Sequence, residues 1–478
     1  MPRIAEGVAP CSAPNRRSMV ARAAGLWKKL KSPPENDIGA QRWRKIFVSL
    51  GSTFSSRVLA QGCNLLMVPI ALRYLGAERF GVWMTLTSSV SLLSFFDFGI
   101  GIGLQNRVAE MMGKERLDQL GFCMRSTLAV LVSISVFVFV AVTFFIFGTN
   151  IAFTIFQGTH FAAINLRDAL VVIAAAFMLG LPLSLFPRIA FGLQQGWISS
   201  VAATCGTVLS LLAVLTASLL RVDFTSFVAF TVVPPIAAQA VGYFLLARRI
   251  PGGLPMLGPV SFGEGLETLK QGAHYVLPQV TGAVLMQGPM IFLGTQSSPF
   301  SAATYSILTR IGTPFQQLQQ MFLAQIWPAI TEAMHRGDTE WLKKTLRRIS
   351  RANLLFGSFA ATFVAFAVLW LFPLLTRDIA LKPSWPVVVL YSVHVGIMCV
   401  VQGLSNIANG LCRMQLQNYL AALSVTFAAT VLPFAAGGYG INGVLSAMLG
   451  LNCLLTIPFL YWEYVLYLRH TEQTSSTQ

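Results

Sequence analysis

Long uninterrupted apolar segments dominate this sequence and restrict the folds open to it. A helix needs about 20 apolar residues to cross the hydrocarbon layer of a membrane. Without water the backbone must satisfy its own hydrogen bonds, so such segments form helices. Twelve segments qualify, numbered here as spans 1 to 12: 46–72, 80–104, 123–148, 168–190, 196–219, 225–247, 271–294, 301–330, 351–375, 385–410, 414–436 and 440–467.

The composition agrees with a chain that crosses the membrane many times. Hydrophobic residues make up 55% of the sequence and charged residues 11%, and the mean hydropathy is +0.65. No segment has the alternating pattern of an outer-membrane barrel strand. The sequence therefore predicts an all-α polytopic membrane protein with about 12 transmembrane helices.

The basic residues predict how the chain is oriented. With a cytoplasmic N-terminus, 26 of the 34 Lys and Arg residues fall on the cytoplasmic side and six on the outer side. This asymmetry obeys the positive-inside rule and predicts that both termini are cytoplasmic. The net charge of +16 lies mostly in membrane-flanking segments, so we expect contact with anionic lipid rather than nucleic acid.

A weak internal repeat predicts two six-helix halves around a central cavity. The connections after spans 2 and 8 share a Glu, Met, Gly and Leu pattern, which begins at Glu110 and at Glu332. Parallel repeats of this kind place the substrate path at their interface. We expect a basic cytoplasmic tail (1–45), a first bundle (46–247), a cytoplasmic linker (248–270), a second bundle (271–467) and a cytoplasmic tail (468–478).

Polar residues recur at helical spacing on one face of several spans. Two of them are arginines, Arg57 in span 1 and Arg310 in span 8, and insertion scales assign an arginine at mid-membrane a cost of about 2.5 to 3.5 kcal/mol. We therefore expect both arginines to line a wet pathway. Amides share the faces of spans 1, 8 and 10, and we assign them to the same pathway, although amides also join helices to each other: Gln61, Asn64, Gln317, Gln402 and Asn409.

One carboxylate and two histidines complete the set of candidate residues. Asp97 lies in span 2 before a glycine-rich exit, and three roles are open: a proton-coupling site, a counter-ion for Arg57, or a cap on the glycine break. His274 and His394 are candidates for a coupling proton, although a neutral hydrogen-bonded histidine is the more ordinary outcome.

The motifs of enzymes and ATP-driven pumps are missing from the sequence. There is no Walker loop, no serine elbow and no metal-ligand spacing, and the seven cysteines are scattered singly. We therefore predict no catalytic residue, no metal, no cofactor and no enzyme activity.

The stretch 75–110 resembles a signature of bacterial polysaccharide transporters of the O-antigen flippase (Wzx) type, which belong to the multidrug/oligosaccharidyl-lipid/polysaccharide exporter superfamily. The matching residues are Leu75, Gly76, Phe80, Gly81, Trp83, Asp97, Gly99, Gly101 and Gly103. The resemblance implies a monomeric inner-membrane flippase that carries undecaprenyl-pyrophosphate-linked oligosaccharide by alternating access. Arg57 and Arg310 would then bind the pyrophosphate, since guanidinium binds phosphate bidentately, and the amides would bind sugar hydroxyls.

Two other functions compete with this interpretation. A multidrug extruder of the same superfamily, coupled to Na⁺ or H⁺, is expected to have a cavity rich in carboxylates. An integral-membrane glycan polymerase or transferase is expected to carry its active residues on a large outer loop. The longest outer loop here, 149–167, contains Arg167 as its one charged residue.

Overall fold

The computed structural model describes residues 38–93, 97–113, 117–148, 166–193, 195–248, 250, 258–273, 276–336, 339–376, 378, 381–410, 414–463 and 465. Within these ranges the chain forms helices and turns and no strand, which confirms the all-α prediction. The tail 468–478 and residues 1–37 lie outside the described ranges, as does His274.

Thirteen α-helices account for most of the described residues. They are α1 (Ile38–Leu93), α2 (Ile100–Gly113), α3 (Leu117–Gly148), α4 (Leu166–Leu183), α5 (Leu185–Gly192), α6 (Gly196–Leu220), α7 (Phe224–Ala247), α8 (Phe262–Gly272), α9 (Val276–Phe292), α10 (Pro299–Arg336), α11 (Thr339–Leu375), α12 (Trp385–Gly410) and α13 (Met414–Leu451). A π-helical turn follows α9 at Leu293–Ser297, and another follows α13 at Asn452–Thr456.

Eight helical segments among the described residues are long and apolar enough to cross a membrane. The first (Phe54–Ser89) and the last (Gln417–Glu463) have 36 and 47 residues. At 1.5 Å per residue both exceed the roughly 30 Å hydrocarbon layer by a wide margin. Each contains a glycine with positive φ, Gly76 at 75° and Gly440 at 57°, where two helices meet at a kink. The predicted count of twelve spans stays a prediction.

Span 2 is not continuous, contrary to our expectation for 80–104. Helix α1 ends at Leu93, and a new helix, α2, begins at Ile100 after Phe98 and Gly99, which have φ values of 47° and 76°. Positive φ is strained for phenylalanine and free for glycine, so the backbone turns here at the first residue of the glycine-rich exit. The continuous apolar run concealed this break.

Helices from both predicted bundles share one hydrophobic core. Helix α1 packs against α6 of the first bundle and against α9 and α10 of the second. Trp83 of α1 stacks edge-on against Phe227 and donates from Nε1 to the Thr231 hydroxyl at 3.2 Å. At Gly81 the same helix lies against the backbone of Pro299, leaving no room for a side chain. Helix α1 therefore forms much of the contact between the two sets of spans.

The segment that we predicted as a linker contains a short helix, α8, docked on the first bundle. It packs against α2 and α3. A Cβ atom built on Gly265 would lie 2.5 Å from the backbone oxygen of Ser126, and one built on Gly272 would lie 2.2 Å from that of Gly99. Such backbone contact requires glycine, and it holds α8 directly on the first bundle.

Candidate functional site

A cavity of about 630 Å³ opens among helices of the second bundle. It is lined by α9, α10, α12 and α13, and by the part of α1 that follows the Gly76 kink. Arg310 is the one lining residue with a permanent charge, and no carboxylate lines the cavity among the residues that the structure describes. The cavity is thus cationic in a surrounding of low polarity, which suits an anionic group.

Arg310 lies at the boundary between this cavity and α1. Its guanidinium is partly buried and donates from Nη1 to the backbone oxygen of Asn64 at 2.6 Å. The Nη2 atom lies 3.6 Å from the sulfur of Met84, a weak acceptor. Guanidinium has five N–H donors, so these two contacts leave donors for a ligand in the cavity.

Arg57 lies on the other side of the α1–α10 contact and is exposed. Its Nη1 atom donates to the backbone oxygen of Gln317 at 3.4 Å, and Gln61 donates from Nε2 to Oε1 of the same glutamine at 3.0 Å. The polar face of span 1 was expected to line the same pathway as those of spans 8 and 10. Its polar face instead contacts α10, and neither Arg57 nor Gln61 lines the cavity.

The remaining predicted residues are divided between the cavity and its surroundings. His394 of α12 lines the cavity and is buried, and its Nδ1 atom has no hydrogen-bond partner. Gln402 and Asn409 lie further along the same helix, are partly buried and do not line the cavity. The side-chain oxygen of Gln402 is buried without a partner.

Asp97 lies away from Arg57, at the break between α1 and α2. Its Oδ1 atom accepts a hydrogen bond from the Gly99 backbone at 3.0 Å, and Gly101 also donates its N–H to this carboxylate. The cation that interacts with it is Arg188, which lies beside Gly101. Of the three open roles, this geometry matches a cap on the glycine break, and the carboxylate interacts with Arg188 instead of Arg57. Sequence spacing gave no sign of Arg188, 91 positions away.

Most of the polar residues that line the cavity were not predicted from the sequence. These hydroxyls and amides belong to none of the polar faces identified from helical spacing: Thr87, Ser88, Gln287, Thr309, Gln316, Gln417, Ser424, Asn452 and Thr456. The last two belong to the π-helical turn after α13, and π-helical turns inside helices occur frequently at functional sites.

The chain is similar to a Salmonella typhi protein assigned as an O-antigen transporter. The two are 20% identical over 422 residues, which cover 87% of this chain and 94% of the relative. A Yersinia pseudotuberculosis protein assigned to O-antigen export is 21% identical over 286 residues, 59% of this chain and 64% of that protein.

Solved structures share the fold at low sequence identity. An inward-facing multidrug resistance MATE family transporter of the MOP superfamily matches with a TM-score of 0.71 and 14% identity, over 86% of this chain and 96% of that one. The lipid II flippase MurJ, in an inward closed conformation, matches with a TM-score of 0.67 and 11% identity, over 87% of each chain. The family of polysaccharide biosynthesis proteins matches residues 43–334, more than half of the chain, and this protein therefore belongs to that family.

Proposed function

We propose that this protein is a flippase that moves undecaprenyl-pyrophosphate-linked oligosaccharide across the bacterial inner membrane by alternating access. The cargo is a repeat unit of O-antigen, capsule or exopolysaccharide. The family match and the O-antigen relatives support a transporter of this class rather than an enzyme. We further propose a monomer with both termini in the cytoplasm and with the basic tail on anionic lipid.

The observation that carries this proposal is the position of Arg310. A permanently charged guanidinium borders a cavity whose other described lining residues are apolar groups, hydroxyls, amides and one histidine. A lipid-linked pyrophosphate offers the oxygens that guanidinium binds bidentately. The uncharged polar residues offer donors and acceptors for sugar hydroxyls. Arg57 and the amides Gln61, Asn64 and Gln317 lie at the contact between α1 and α10, the two helices that Arg310 also joins.

The same geometry disfavours a multidrug extruder for organic cations. Such a substrate requires negative charge in the cavity, and the described lining residues supply only a positive one. A glycan polymerase or transferase needs a reacting group next to the lipid carrier, and the described lining residues of the cavity include no carboxylate for that role. Transport of this kind can be coupled to H⁺ or Na⁺. Asp97, His274 and His394 were the residues considered for that coupling.

Transport of lipid-linked sugar by arginine variants tests the proposal. Purified protein in proteoliposomes should translocate undecaprenyl-pyrophosphate-linked sugar, and Arg310→Ala should reduce the rate by about 10- to 150-fold, the loss of one or more charge-assisted hydrogen bonds. Arg57→Ala should also reduce it. Arg73→Ala is the matched control, because Arg73 is an exposed arginine on α1 that does not line the cavity. Unchanged transport by Arg310→Ala, in protein that inserts normally, would overturn the proposal.

A further inference from the structure

His394 differs from the other polar residues that line the cavity. Its side chain is only 6% exposed, and Nδ1 is buried without a hydrogen-bond partner. His394 nevertheless lines the cavity, and with Nδ1 buried, the ring nitrogen left for a ligand is Nε2. A buried nitrogen without a partner is most costly when it carries a proton, so the proton of the neutral ring belongs on Nε2.

The surroundings of His394 favour the neutral imidazole over the charged form. An imidazolium has two N–H donors, and at Nδ1 the second donor would be buried without an acceptor. Arg310 on α10 is the permanent charge at this cavity, and it repels a second cation. The other titratable lining residues are Tyr305 of α10 and Tyr391 of α12, and those from α1, α9 and α13 include no acid or base in the described chain.

Aromatic contacts join His394 to the helix that carries Arg310. The ring centroids of Tyr391 and His394 are 6.4 Å apart, and the ring of Tyr391 lies edge-on to that of Tyr305 at 6.3 Å. Gly312 packs against the Tyr391 hydroxyl, which leaves no room for a side chain there. The imidazole and the guanidinium therefore belong to one rigid wall formed by α10 and α12.

We propose that His394, in its neutral form, donates a hydrogen bond from Nε2 to a sugar oxygen of the saccharide next to the pyrophosphate. This inference rests on the proposed function and deepens it, because it places the glycan at α12 when the phosphates are at Arg310. It also assigns His394 to recognition of the cargo. This role replaces the coupling proton that we first considered for the residue.

Binding of two lipid probes to the purified protein separates recognition of sugar from recognition of phosphate. The probes are undecaprenyl pyrophosphate and the same lipid carrying a single hexose, and native mass spectrometry measures their affinities. His394→Phe keeps a ring but removes the donor, so it should weaken binding of the sugar-bearing lipid by about 5- to 10-fold, the usual value of one hydrogen bond. Binding of the sugar-free lipid should not change, which also proves that the variant is folded.

Two further variants complete the experiment. His394→Gln retains an N–H donor and should recover most of the affinity for the sugar-bearing lipid. Val393→Ala lies on the same helix, is 41% exposed and does not line the cavity, so it should bind both lipids normally. Under an imposed pH gradient, His394→Gln should transport with the same gradient dependence as the unchanged protein.

The possible results of these experiments separate the sugar contact of His394 from the proposed function of the protein. If the unchanged protein binds both lipids and His394→Phe weakens both equally or neither, the sugar contact is overturned while the proposed function stands. Loss of the gradient response in His394→Gln overturns the assignment to recognition. If the unchanged protein binds neither lipid, the proposed function itself fails.

Discussion

The guanidinium of Arg310 donates to the backbone oxygen of Asn64 at 2.6 Å, and this hydrogen bond joins α10 to α1. Two turns away, Arg57 of α1 donates to the backbone oxygen of Gln317 on α10. Each arginine thus contacts the backbone of an amide residue on the opposite helix. Phosphate oxygens compete with carbonyl oxygens for guanidinium and bind it more strongly, because they are charged. We therefore expect cargo binding to loosen the α1–α10 contact.

Locking this contact should stop transport. Cysteines at Gln61 and Gln317, whose side chains are hydrogen-bonded at 3.0 Å, would be joined by a short bifunctional thiol reagent in a background without the native cysteines. Alternating access requires relative movement of the two bundles, so the cross-linked protein should lose at least 90% of its flipping rate, as a rough expectation. The rate at which the cross-linked protein flips lipid-linked sugar in proteoliposomes tests this prediction.

A cross-link within the first bundle is the control for this experiment. Thr204 of α6 donates to the backbone oxygen of Ser56 on α1 at 3.2 Å, so cysteines at these two positions join neighbouring helices of one bundle. This cross-link should leave transport intact. Full activity of the Gln61–Gln317 cross-linked protein would show that α1 and α10 do not separate during transport.

Asp97 should act as a cap, and its substitutions should follow that role. Asp97→Asn retains one oxygen that can accept from Gly99 and loses the second oxygen and the attraction to Arg188, whereas Asp97→Ala loses every side-chain acceptor. We expect Asp97→Ala to lower the unfolding free energy by about 0.5–2 kcal/mol, and Asp97→Asn by less. Thermal unfolding in detergent shows whether Asp97→Ala is less stable than Asp97→Asn. A proton-coupling role would instead make Asp97→Asn inactive in a stable protein.

The ion pair between Arg107 and Glu264 should hold α8 on the first bundle. Arg107 also donates to the Thr268 hydroxyl at 2.8 Å, and the two charged side chains are 15% and 31% exposed. This exposure lies between that of surface and buried pairs, so Glu264→Gln should cost about 1 kcal/mol. Hydrogen exchange of α8 should rise in Glu264→Gln. The exposed pair of Lys270 and Glu267 gives a control, because Glu267→Gln should change exchange little.

Asp223 predicts a pH dependence of stability at the start of α7. Its carboxylate accepts from the Ser226 hydroxyl and from the backbone N–H groups of Ser226 and Thr225, and these bonds lower the pKa of Asp223 below its ordinary value. The stabilisation is therefore complete above the unfolded pKa of about 3.9 and is lost as the pH falls through the folded pKa.

Asp223→Ala should accordingly lower the unfolding temperature by a constant amount from pH 8 to about pH 5, and by less below about pH 4. Thermal unfolding of the unchanged protein and of Asp223→Ala at each pH measures the difference between their unfolding temperatures. Asp223→Asn can still cap the helix and does not titrate, so its stability should not follow the same profile. A difference for Asp223→Ala that does not change with pH would contradict the cap.

Hydropathy predicted the all-α fold, and helical spacing predicted that Arg57 and Gln61 share one face of span 1. The apolar segments lie in helices, and Arg57 and Gln61 of that face contact α10. Both follow from local periodicity, which the sequence displays directly. The break before α2 was missed, because the flanking run is apolar and the strain at Phe98 is a property of the folded backbone.

Contacts between distant residues could not be predicted in the same way. The attraction between Asp97 and Arg188 depends on how α2 and α5 pack, and the cavity is lined by single polar residues from five helices. Of the two histidines considered, only His394 falls in the described chain, and spacing alone did not distinguish a cavity position from the interior of a helix bundle.

The glycine contacts of α8 have a mechanical consequence. Gly272 of α8 touches the backbone of Gly99, and Gly103 faces the backbone of Thr268, so no layer of side chains separates the two helices. Side-chain layers let helices slide by changing rotamers, and main-chain atoms in direct contact have no such freedom. Helix α8 should therefore travel as a fixed arm of the first bundle. Any movement of the second bundle relative to the first is then also a movement relative to α8.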